Sequence, residues 1–408
     1  MTTTTNNEQK KLNVPNKREQ NQSCLDSAER EGLRPNGNVP NLRFPEFRGE
    51  WEKVRLGEEC NMLCGYAFNG EDIVEQGSYL LMRGINITEG SIRHSSELDR
   101  YYSGSIEKLD KYKLAIGDLV IGMDGSKVGR NSAIVSSYED GSYLVQRVCR
   151  IRSSIGNNYI LQFINNTKFH QYVDTVKTSS AIPHISLRDI KNYRISIPST
   201  QDETDKIAKL FLLLDERIAT QNKIIDKLQS LIKGIAQKIV RNNKTNVRLS
   251  ECVECSSSTL QESDVCEHGA YPVYGANGIV GYLDNYNTEG EAVYIIKDGS
   301  GVGTVSYVTG KCSATGTLNT LQAKEGYSLQ YLYYLLKVFN FEPYKTGMAI
   351  PHIYFKDYGK SKVFCPSYTE QLRYARLLSA IDSKLSVEKN LLTSLSMQKQ
   401  YLLRQMFI

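Results

Sequence analysis

Four residues of types that bind zinc stand close together in the second half of this sequence. They are Cys252 and Cys255, followed by Cys266 and His268. Thiolates and an imidazole could together hold a tetrahedral zinc ion. The spacing of Cys266 and His268 is too tight for a common zinc knuckle, however, and the other half of the chain holds no comparable set. We therefore expect free thiols here and no bound metal.

Two histidines and a glycine-rich stretch could also take part in chemistry. His184 and His352 each follow an Ile-Pro pair, and because no nucleophile or acidic cluster accompanies either one, we expect each to fix a turn. Residues 299–303 read Gly-Ser-Gly-Val-Gly and resemble a loop that cradles a phosphate. A dinucleotide-binding loop needs a helix directly after it, whereas residues 304–308 have the pattern of a strand, so we expect a hairpin turn.

Familiar catalytic motifs are absent from the sequence. It contains no phosphate-binding Gly-x-x-x-x-Gly-Lys-Ser/Thr loop, no Gly-x-Ser-x-Gly nucleophile turn, no His-Glu-x-x-His zinc helix and no Asn/Asp-Pro-Pro-aromatic quartet of adenine methyltransferases. We therefore assign no catalytic residue. An enzyme that holds phosphate at residues 299–303 stays open as an alternative, which nucleotide binding or turnover by the isolated chain would favour.

Basic and small polar residues stand in loops that are rich in turn-forming residues. Lysine, arginine, serine and asparagine are side chains that contact phosphates and base edges in protein–DNA complexes. The candidate DNA-binding residues are Arg83, Asn86, Ser126, Lys127, Arg130, Asn277, Lys297, Ser300 and Lys311. Each could equally be a solvated loop side chain, since the sequence does not say which loops face a groove.

The overall composition is that of a globular protein. The chain has 408 residues, of which 40% are hydrophobic and 23% are charged, with a net charge of +5. This balance fits two or three domains and permits a polyanionic partner without requiring one. Because no secretory signal or membrane-spanning stretch is present, we expect a cytoplasmic protein without a membrane partner. The nine cysteines are then most simply free thiols.

The N-terminal residues differ in composition from the rest of the chain. Residues 1–38 carry many polar and few large apolar side chains, so we expect a disordered tail that cannot offset the entropy of ordering. Order should begin in residues 39–51, which hold several apolar residues and the only tryptophan, Trp51. This segment should anchor itself on a domain.

The chain contains an internal repeat. The sequence Ala-Ile-Pro-His-Ile occurs at 181–185 and again at 349–353, in each case after a Lys-Thr pair. The sequence Asp-Gly-Ser-x-Val-Gly occurs at 124–129 and again at 298–303. The chain therefore consists of two copies of one unit of about 165 to 175 residues.

Each copy ends in a long stretch whose apolar residues recur every three or four positions. This period predicts a helix with a heptad seam. The seam residues are Leu214, Ile218, Gln221, Ile225 and Leu228 in the first helix, and Ile381, Leu385, Glu388, Leu392 and Leu395 in the second. Ser199 and Ser367 each precede an acid by three residues and should cap the two helices.

A seam of this length must be covered, and the obvious partner is the other copy. A helix of about 40 residues is roughly 60 Å long, far beyond the globular average. We expect the two helices to pair antiparallel and to form a rigid spacer between two globular domains. The polar residues Gln221 and Glu388 should cost stability and fix the register of the pair.

These patterns together predict a mixed α/β fold with two repeated domains, each followed by a long helix. The predicted layout is a tail at 1–38, a domain at 39–198, a helix at 199–242, a second domain at 243–366 and a second helix at 367–408. Short apolar runs bounded by Gly, Asn, Asp and Ser indicate that both domains are rich in β-strands.

From residue 39 onward, the chain resembles the specificity subunit of Type I restriction-modification enzymes. The resemblance rests on the Val-Pro-x-Leu-Arg-Phe-Pro-x-Phe-x-x-x-Trp opening at 39–51, the Tyr-Pro-Val-Tyr-Gly-Ala-Asn-Gly segment at 271–278, the two Asp-Gly-Ser-x-Val-Gly turns and the Pro-Ser pairs before the helices. It implies two target-recognition domains, each of which reads one half of a bipartite, asymmetric DNA site. It also implies that the paired helices separate these domains and dock methyltransferase subunits.

The same resemblance implies a subunit without catalytic residues and without a bound cofactor. Its implied partners are double-stranded DNA, two modification subunits that use S-adenosylmethionine, and restriction subunits that use ATP and Mg. Such a subunit directs adenine methylation and ATP-dependent cleavage by those partners. The other alternative left open is a coiled-coil adaptor that binds protein and has no DNA sequence preference of its own.

Overall fold

The computed structural model describes residues 37–347 and 350–408. The tail predicted at 1–38 therefore lies outside the described residues, apart from its last two positions, and so do Met348 and Ala349. The described chain forms two compact units. The first unit comprises the described residues up to Asp215 together with Met397–Ile408, and the second comprises Glu216–Ser396.

The first unit is a mixed α/β domain. Its strands are β1 (Glu52–Arg55), β2 (Cys60–Cys64), β3 (Ile73–Val74), β4 (Tyr79–Met82), β5 (Ile87–Thr88), β6 (Ser91–Ile92), β7 (Tyr101–Tyr102), β8 (Leu119–Gly122), β9 (Ser132–Ile134), β10 (Tyr143–Leu144), β11 (Val148–Ser153) and β12 (Arg194–Ile197). Its helices are α1 (Leu56–Glu59), α2 (Asn157–Ile164), α3 (Thr167–Val176), α4 (Leu187–Asn192) and the beginning of α5 (Gln201–Arg241).

Two four-stranded sheets organise the first unit. One has the strand order β2-β11-β8-β9 with antiparallel neighbours throughout. The other has the order β10-β4-β7-β3, in which β4 and β10 run parallel. Every residue of β8 is buried, as expected for a short, continuous apolar run at the centre of a core.

The second unit is built from a similar set of elements. Its strands are β13 (Val247–Arg248), β14 (Val253–Ser257), β15 (Tyr271–Gly275), β16 (Gly278–Leu283), β17 (Glu291–Ile296), β18 (Val305–Thr309), β19 (Ser313–Ala314), β20 (Leu318–Ala323) and β21 (Lys362–Val363). Its helices are the rest of α5, α6 (Leu249–Cys252), α7 (Leu329–Leu336), α8 (Phe355–Tyr358) and most of α9 (Tyr368–Met406).

The antiparallel sheets of the two units correspond strand by strand, whereas the other sheet has four strands in the first unit and three, in the order β16-β15-β19, in the second. The antiparallel order β14-β20-β17-β18 matches β2-β11-β8-β9. The parallel pair β15 and β19 matches β4 and β10, and the entry β13-α6-β14 matches β1-α1-β2. The repeat found in the sequence is therefore a repeat of fold, and the predicted mixed α/β class with two domains is confirmed.

The two predicted long helices are present, with 41 residues in α5 and 39 in α9. Ser367 directly precedes α9, and its hydroxyl donates to the carboxylate of Glu370 at 2.9 Å. In the first helix, Thr200 rather than Ser199 precedes the first residue, because the amide of Thr204 donates to the Thr200 carbonyl and closes the first turn there. Among the described residues, no helix is both long enough and apolar enough to span a membrane.

The helices pack together along the predicted seam and run antiparallel. In the second unit, Ile225 and Leu385 are buried in one cluster, and the side-chain amide of Gln221 donates to the Glu388 carbonyl at 3.1 Å. In the first unit, Lys399 Nζ lies 2.5 Å from Asp215 Oδ1. The remaining seam positions are buried or half-buried, namely Leu214, Ile218, Leu228, Ile381, Leu392 and Leu395.

The compact units divide inside the helices and not at their ends. The divisions fall after Asp215 in α5 and after Ser396 in α9, so each helix contributes residues to both units. At the end of α9, the ring of Phe407 packs 4.8 Å from that of Phe163 and 5.5 Å from that of Phe211. The C-terminal residues therefore complete the core of the first unit.

The segment 39–51 anchors itself on the first unit, as the sequence predicts. Trp51 is buried, and its indole Nε1 donates to Glu203 Oε1 at 3.4 Å. The amide of Leu42 donates to the carbonyl of Gln405 at 3.0 Å. The segment thus contacts both the beginning of α5 and the end of α9.

Candidate nucleic-acid interface

Two loops that carry predicted DNA-binding residues meet around an open cleft in the first unit. The cleft has a volume of about 460 Å³. Gly84 and Ile85, which follow Arg83, line one side of it, and Ser126 and Lys127 line another. These loops owe their positions to the strands before them, because β4 and β8 each end on buried residues. The fold therefore brings together two of the sequence-predicted groups.

One arginine lines this cleft, and a second directly precedes the lining residues Gly84 and Ile85. Burial, and then the positive charge of Arg100, lower the pKa of Arg83. Within the described residues, Arg83 forms no ion pair with a carboxylate. Arg93 lines the cleft and donates through Nη2 to the Ile85 carbonyl at 3.1 Å. Guanidinium groups without a carboxylate partner suit a phosphate oxygen.

Arg93 and Arg100 are not among the residues predicted from the sequence. Arg93 stands in the run Arg-His-Ser-Ser at 93–96, where a basic residue lies beside small polar ones. The same signal points to Lys127, and it would also identify Arg93. Arg100 carries no such signal, since only the fold places it near Arg83.

Asn86 lies inside the domain and not at its surface. It is 1% exposed, and its Nδ2 donates to the Arg93 carbonyl and to Asp99 Oδ1, each at 3.2 Å. Buried amides of this kind are held by protein partners. The placement therefore argues against the predicted contact with DNA, and Asn86 instead fixes the loop that carries Arg83 and Ile85.

The remaining candidates of the first unit lie at the surface. Lys127 Nζ lies 3.1 Å from Glu89 Oε1, and Arg130 Nη2 lies 2.8 Å from Asp174 Oδ2. Ser126 is exposed. Because exposed ion pairs contribute little to stability, both cations can exchange a carboxylate for a phosphate oxygen at small cost.

In the second unit, the candidates divide between the turn after β17 and two other loops. Ser300 is exposed on the Asp-Gly-Ser turn, and Lys297 just before it donates from Nζ to Ser257 Oγ at 3.0 Å. Asn277 is exposed at the tip of the β15–β16 hairpin. Lys297 and Ser300 are thus neighbours, whereas Asn277 stands on a separate hairpin.

Lys311 lies on the third of these loops, between β18 and β19. Its Nζ lies 4.7 Å from the centre of the Tyr286 ring and 3.7 Å from Glu289 Oε1. A hydrogen bond with the Tyr286 hydroxyl, and then the charges of Tyr286 and Glu289, raise the pKa of Lys311. The Lys311 side chain therefore stays protonated at neutral pH and presents its positive charge on an exposed loop.

The two histidines fix turns, as the sequence predicts. His184 Nδ1 lies 3.0 Å from Thr178 Oγ1, and His352 Nδ1 lies 2.6 Å from Asp298 Oδ1. Residues 299–303 form the hairpin turn that connects β17 to β18. A strand follows this turn, so the helix N-terminus that a phosphate-binding loop uses is not formed there.

The residues considered for a zinc site differ in their burial and in their contacts. Cys252 is buried with its Sγ 3.8 Å from that of Cys365, whereas Cys266 is exposed. Within residues 37–347 and 350–408, no group of three or more His, Cys, Asp or Glu side chains is arranged to hold a metal ion. The eight cysteines of these ranges are free thiols.

Known specificity subunits share sequence with this chain. The specificity subunit of the Type I restriction enzyme EcoAI from Escherichia coli is 29% identical over 179 residues, which are 43% of this chain and 29% of that protein. A putative type I specificity subunit from Mycoplasma genitalium, S.MgeORF438P, is 24% identical over 262 residues, which are 58% of this chain and 67% of that protein. The match thus spans less than a third of the E. coli protein.

A solved structure shares the fold of this chain, and a family model matches its sequence. The S subunit of a Type-I restriction-modification system from M. genitalium superposes with a TM-score of 0.63 at 18% identity, covering 91% of this chain and 99% of that one. The model described as Type I restriction modification DNA specificity domain matches residues 48–230 and 242–397. Since the family model matches both repeats and most of the chain, the protein belongs to the family of Type I restriction modification DNA specificity domains.

Proposed function

We propose that this chain is the specificity subunit of a Type I restriction-modification complex and reads a bipartite, asymmetric DNA site with one unit per half-site. The observation that supports this most is that two units of one fold carry different loops at equivalent places. The loop after β4 reads Arg-Gly-Ile-Asn at 83–86, whereas the turn after β15 consists of Ala-Asn at 276–277. Two domains that share one fold but carry different loops suit two half-sites of different sequence.

Recognition in this proposal combines phosphate contacts with base contacts. Arg83, Arg93 and Lys127 supply cations around the cleft of the first unit, and Lys311 supplies one in the second. Phosphate contacts of this kind make binding strongly dependent on salt. Exposed amides and hydroxyls such as that of Asn277 are available to base edges in the major groove, where each good bidentate contact discriminates by about 1–3 kcal/mol.

The helix pair serves two purposes in this proposal. It sets the spacing between the half-sites, and it docks two modification subunits. Large apolar side chains that are exposed on the two helices offer contacts that suit a protein partner. They are Leu213, Leu231, Leu377, Val387, Met397 and Tyr401.

The chemistry in this proposal belongs to the partner subunits. The modification subunits bring S-adenosylmethionine for adenine methylation, and the restriction subunits bring ATP and Mg for cleavage. This chain contributes position only, and we assign it no catalytic residue and no cofactor. The rival proposal is a coiled-coil adaptor without a DNA sequence preference, which the exposed apolar residues of α5 and α9 favour equally.

The test is a methylation map. The full chain is co-expressed with a Type I modification subunit, and N6-methyladenine is mapped on both strands, with the modification subunit alone as the control. We expect a bipartite motif that appears only when this chain is present. An assembled complex that methylates no defined motif would overturn the proposal and support the adaptor.

A further inference from the structure

Two loops are the same in both units, although the units have diverged elsewhere. In each unit the Asp-Gly-Ser turn is tied to the Ile-Pro-His loop by two backbone hydrogen bonds, and we name this arrangement the shared loop pair. The amide-to-carbonyl bonds join Gly125 to Pro183 (3.0 Å) and Ile185 to Met123 (3.0 Å) in the first unit, and Gly299 to Pro351 (3.0 Å) and Ile353 to Lys297 (2.9 Å) in the second. The geometry is thus reproduced as well as the sequence.

Most residues common to the two copies have a task within the fold. Val128 and Val302 are buried, and so are Ile185 and Ile353. The turn glycines adopt the left-handed backbone region, with φ of +90° at residue 125 and +96° at residue 299, which favours glycine. Folding alone accounts for the presence of these residues in both units.

Folding does not account for Ile182 and Ile350. These equivalent residues are 66% and 58% exposed, and each stands in the tip of its shared loop pair. A single exposed isoleucine is ordinary. The same isoleucine exposed at the same place in two diverged domains indicates a contact that both units make.

A residue common to both units cannot discriminate between two different half-sites. Its contact must therefore be with something that both half-sites offer alike, and the sugar–phosphate backbone of DNA meets this condition. We propose that Ile182 and Ile350 are matched apolar tips that pack against deoxyribose, one at each half-site, and set the register of each unit without reading sequence. This inference rests on the proposed function.

The surroundings of the tips fit a nucleotide backbone. Ser126 and Ser300 are exposed in both turns and offer hydroxyl donors to phosphate. Lys177 and Lys345 precede the residues that close the loops, and each pairs with an acid three residues earlier, at 2.7 Å and 2.6 Å. Such exposed pairs are weak, so each ammonium can turn to a phosphate oxygen.

The tips also lie beside the surface proposed to face DNA. In the first unit, the amide of Gly125 donates to the Pro183 carbonyl, and Gly125 also lines the 460 Å³ cleft. In the second unit, Ala276 packs on the apolar cluster that contains Ile296. Ile296 stands two residues before Asp298, the first residue of the Asp-Gly-Ser turn. A protein partner present in two copies would also meet two matched tips, but the common serine and lysine favour the backbone of DNA.

The experiment uses the full chain in complex with a modification subunit. Binding is measured to a duplex with the mapped site and to one without it, for the variants Ile182→Ser, Ile350→Ser and the double variant. The matched control is Ile116→Ser, since Ile116 is 63% exposed in the first unit and lies outside the shared loop pair. Ile182→Leu keeps an aliphatic tip and should bind as the wild type does.

We expect each single variant to weaken binding to both duplexes by the same factor, about tenfold, as the loss of one buried aliphatic contact predicts. The double variant should weaken binding about a hundredfold, because distant sites are additive, and the methylated motif should stay unchanged. An altered motif, an effect from only one tip, or wild-type affinity in all variants would overturn the inference.

Two further outcomes separate the possible failures. If the variants bind DNA normally but lose the modification subunit, the tips contact protein and the inference falls while the proposed function stands. If the wild-type complex itself shows no site preference, the proposed function fails and the inference falls with it.

Discussion

The guanidinium of Arg43 holds the carboxylate of Glu203 through two N–H···O bonds of 2.7 Å each, from Nε to Oε1 and from Nη2 to Oε2. Glu203 is 0% exposed and lies in the first turn of α5. This bidentate pair fastens the segment 39–51 to the long helix, and charge-assisted bonds of this geometry are the strong ones.

The variant Arg43→Ala should lower the free energy of unfolding by about 3–5 kcal/mol, because it leaves the carboxylate of Glu203 buried without a cation. Urea unfolding of the full chain measures this. Arg48→Ala is the control, since Arg48 is exposed and surface changes of this kind stay within about 0.5 kcal/mol. Equal losses in the two variants would contradict the assigned role of Arg43.

The polar pair in the helix seam should cost stability. Gln221 donates to both the carbonyl and the carboxylate of Glu388, which also pairs with Lys384. Gln221→Leu alone should destabilise by about 1–3 kcal/mol, because it removes a partner from a buried carboxylate. The double change to leucine should be neutral or stabilising, since a matched apolar layer replaces a polar one. A double variant less stable than the wild type would show that the polar pair does not cost stability.

The fold could be predicted from the sequence where a period or a repeat carries it. The seam from Leu214 to Leu228 has a period that only a helix satisfies, and β8 is an apolar run that only a core accepts. The candidate site was harder to predict, because the type of a residue does not say whether its side chain points outward or into the domain. Asn86 has the right type for a base contact, yet the fold turns it inward to Asp99, and Arg100 reaches Arg83 only through the fold.

Two glycines of one turn should respond differently to alanine. Gly125 has φ of +90° with no atom within 4 Å of an added Cβ, so Gly125→Ala should cost about 1–2 kcal/mol of backbone strain alone. Gly129 has φ of +72°, and its added Cβ would lie 2.8 Å from Val173 Cγ2, so Gly129→Ala should cost more through overpacking. Thermal unfolding of both variants checks the order, and equal losses would argue against the clash.

Lowering the pH should reduce the stability of the first unit, because it protonates Glu139. Burial opposes the charged carboxylate, but hydrogen bonds from Ser136 and His94 outweigh it and lower the pKa of Glu139. A lowered pKa in the folded state means that the stabilisation is present above the unfolded value of about 4.3 and is lost as the pH falls through the folded value. The wild type should therefore exceed Glu139→Gln in stability at neutral pH, and the gap should narrow below pH ~4.3.

Unfolding curves at several pH values test this, with Glu107→Gln as the control, since Glu107 is exposed. A gap between wild type and Glu139→Gln that stays constant down to pH ~3 would contradict it.

The length of the helix pair should determine the DNA spacer, if the proposed function holds. Inserting one heptad into α5 and one into α9 at facing positions lengthens the pair by about 10 Å, which is roughly three base pairs of duplex. We expect the methylated motif to keep both half-sites and to gain that spacing. The measurement is the methylation map of the insertion variant, and an unchanged spacer would refute the role of the helices as a ruler.

The packing of Phe407 on Phe163 and Phe211 bears on the order in which the protein forms during synthesis. The second unit consists of Glu216–Ser396 and is complete before the last turns of α9 are made. The first unit is encoded earlier but needs Met397–Ile408 to fill its core. During synthesis, the later-encoded unit can therefore close first, while the earlier one stays partly formed until residues 397–408 have been made.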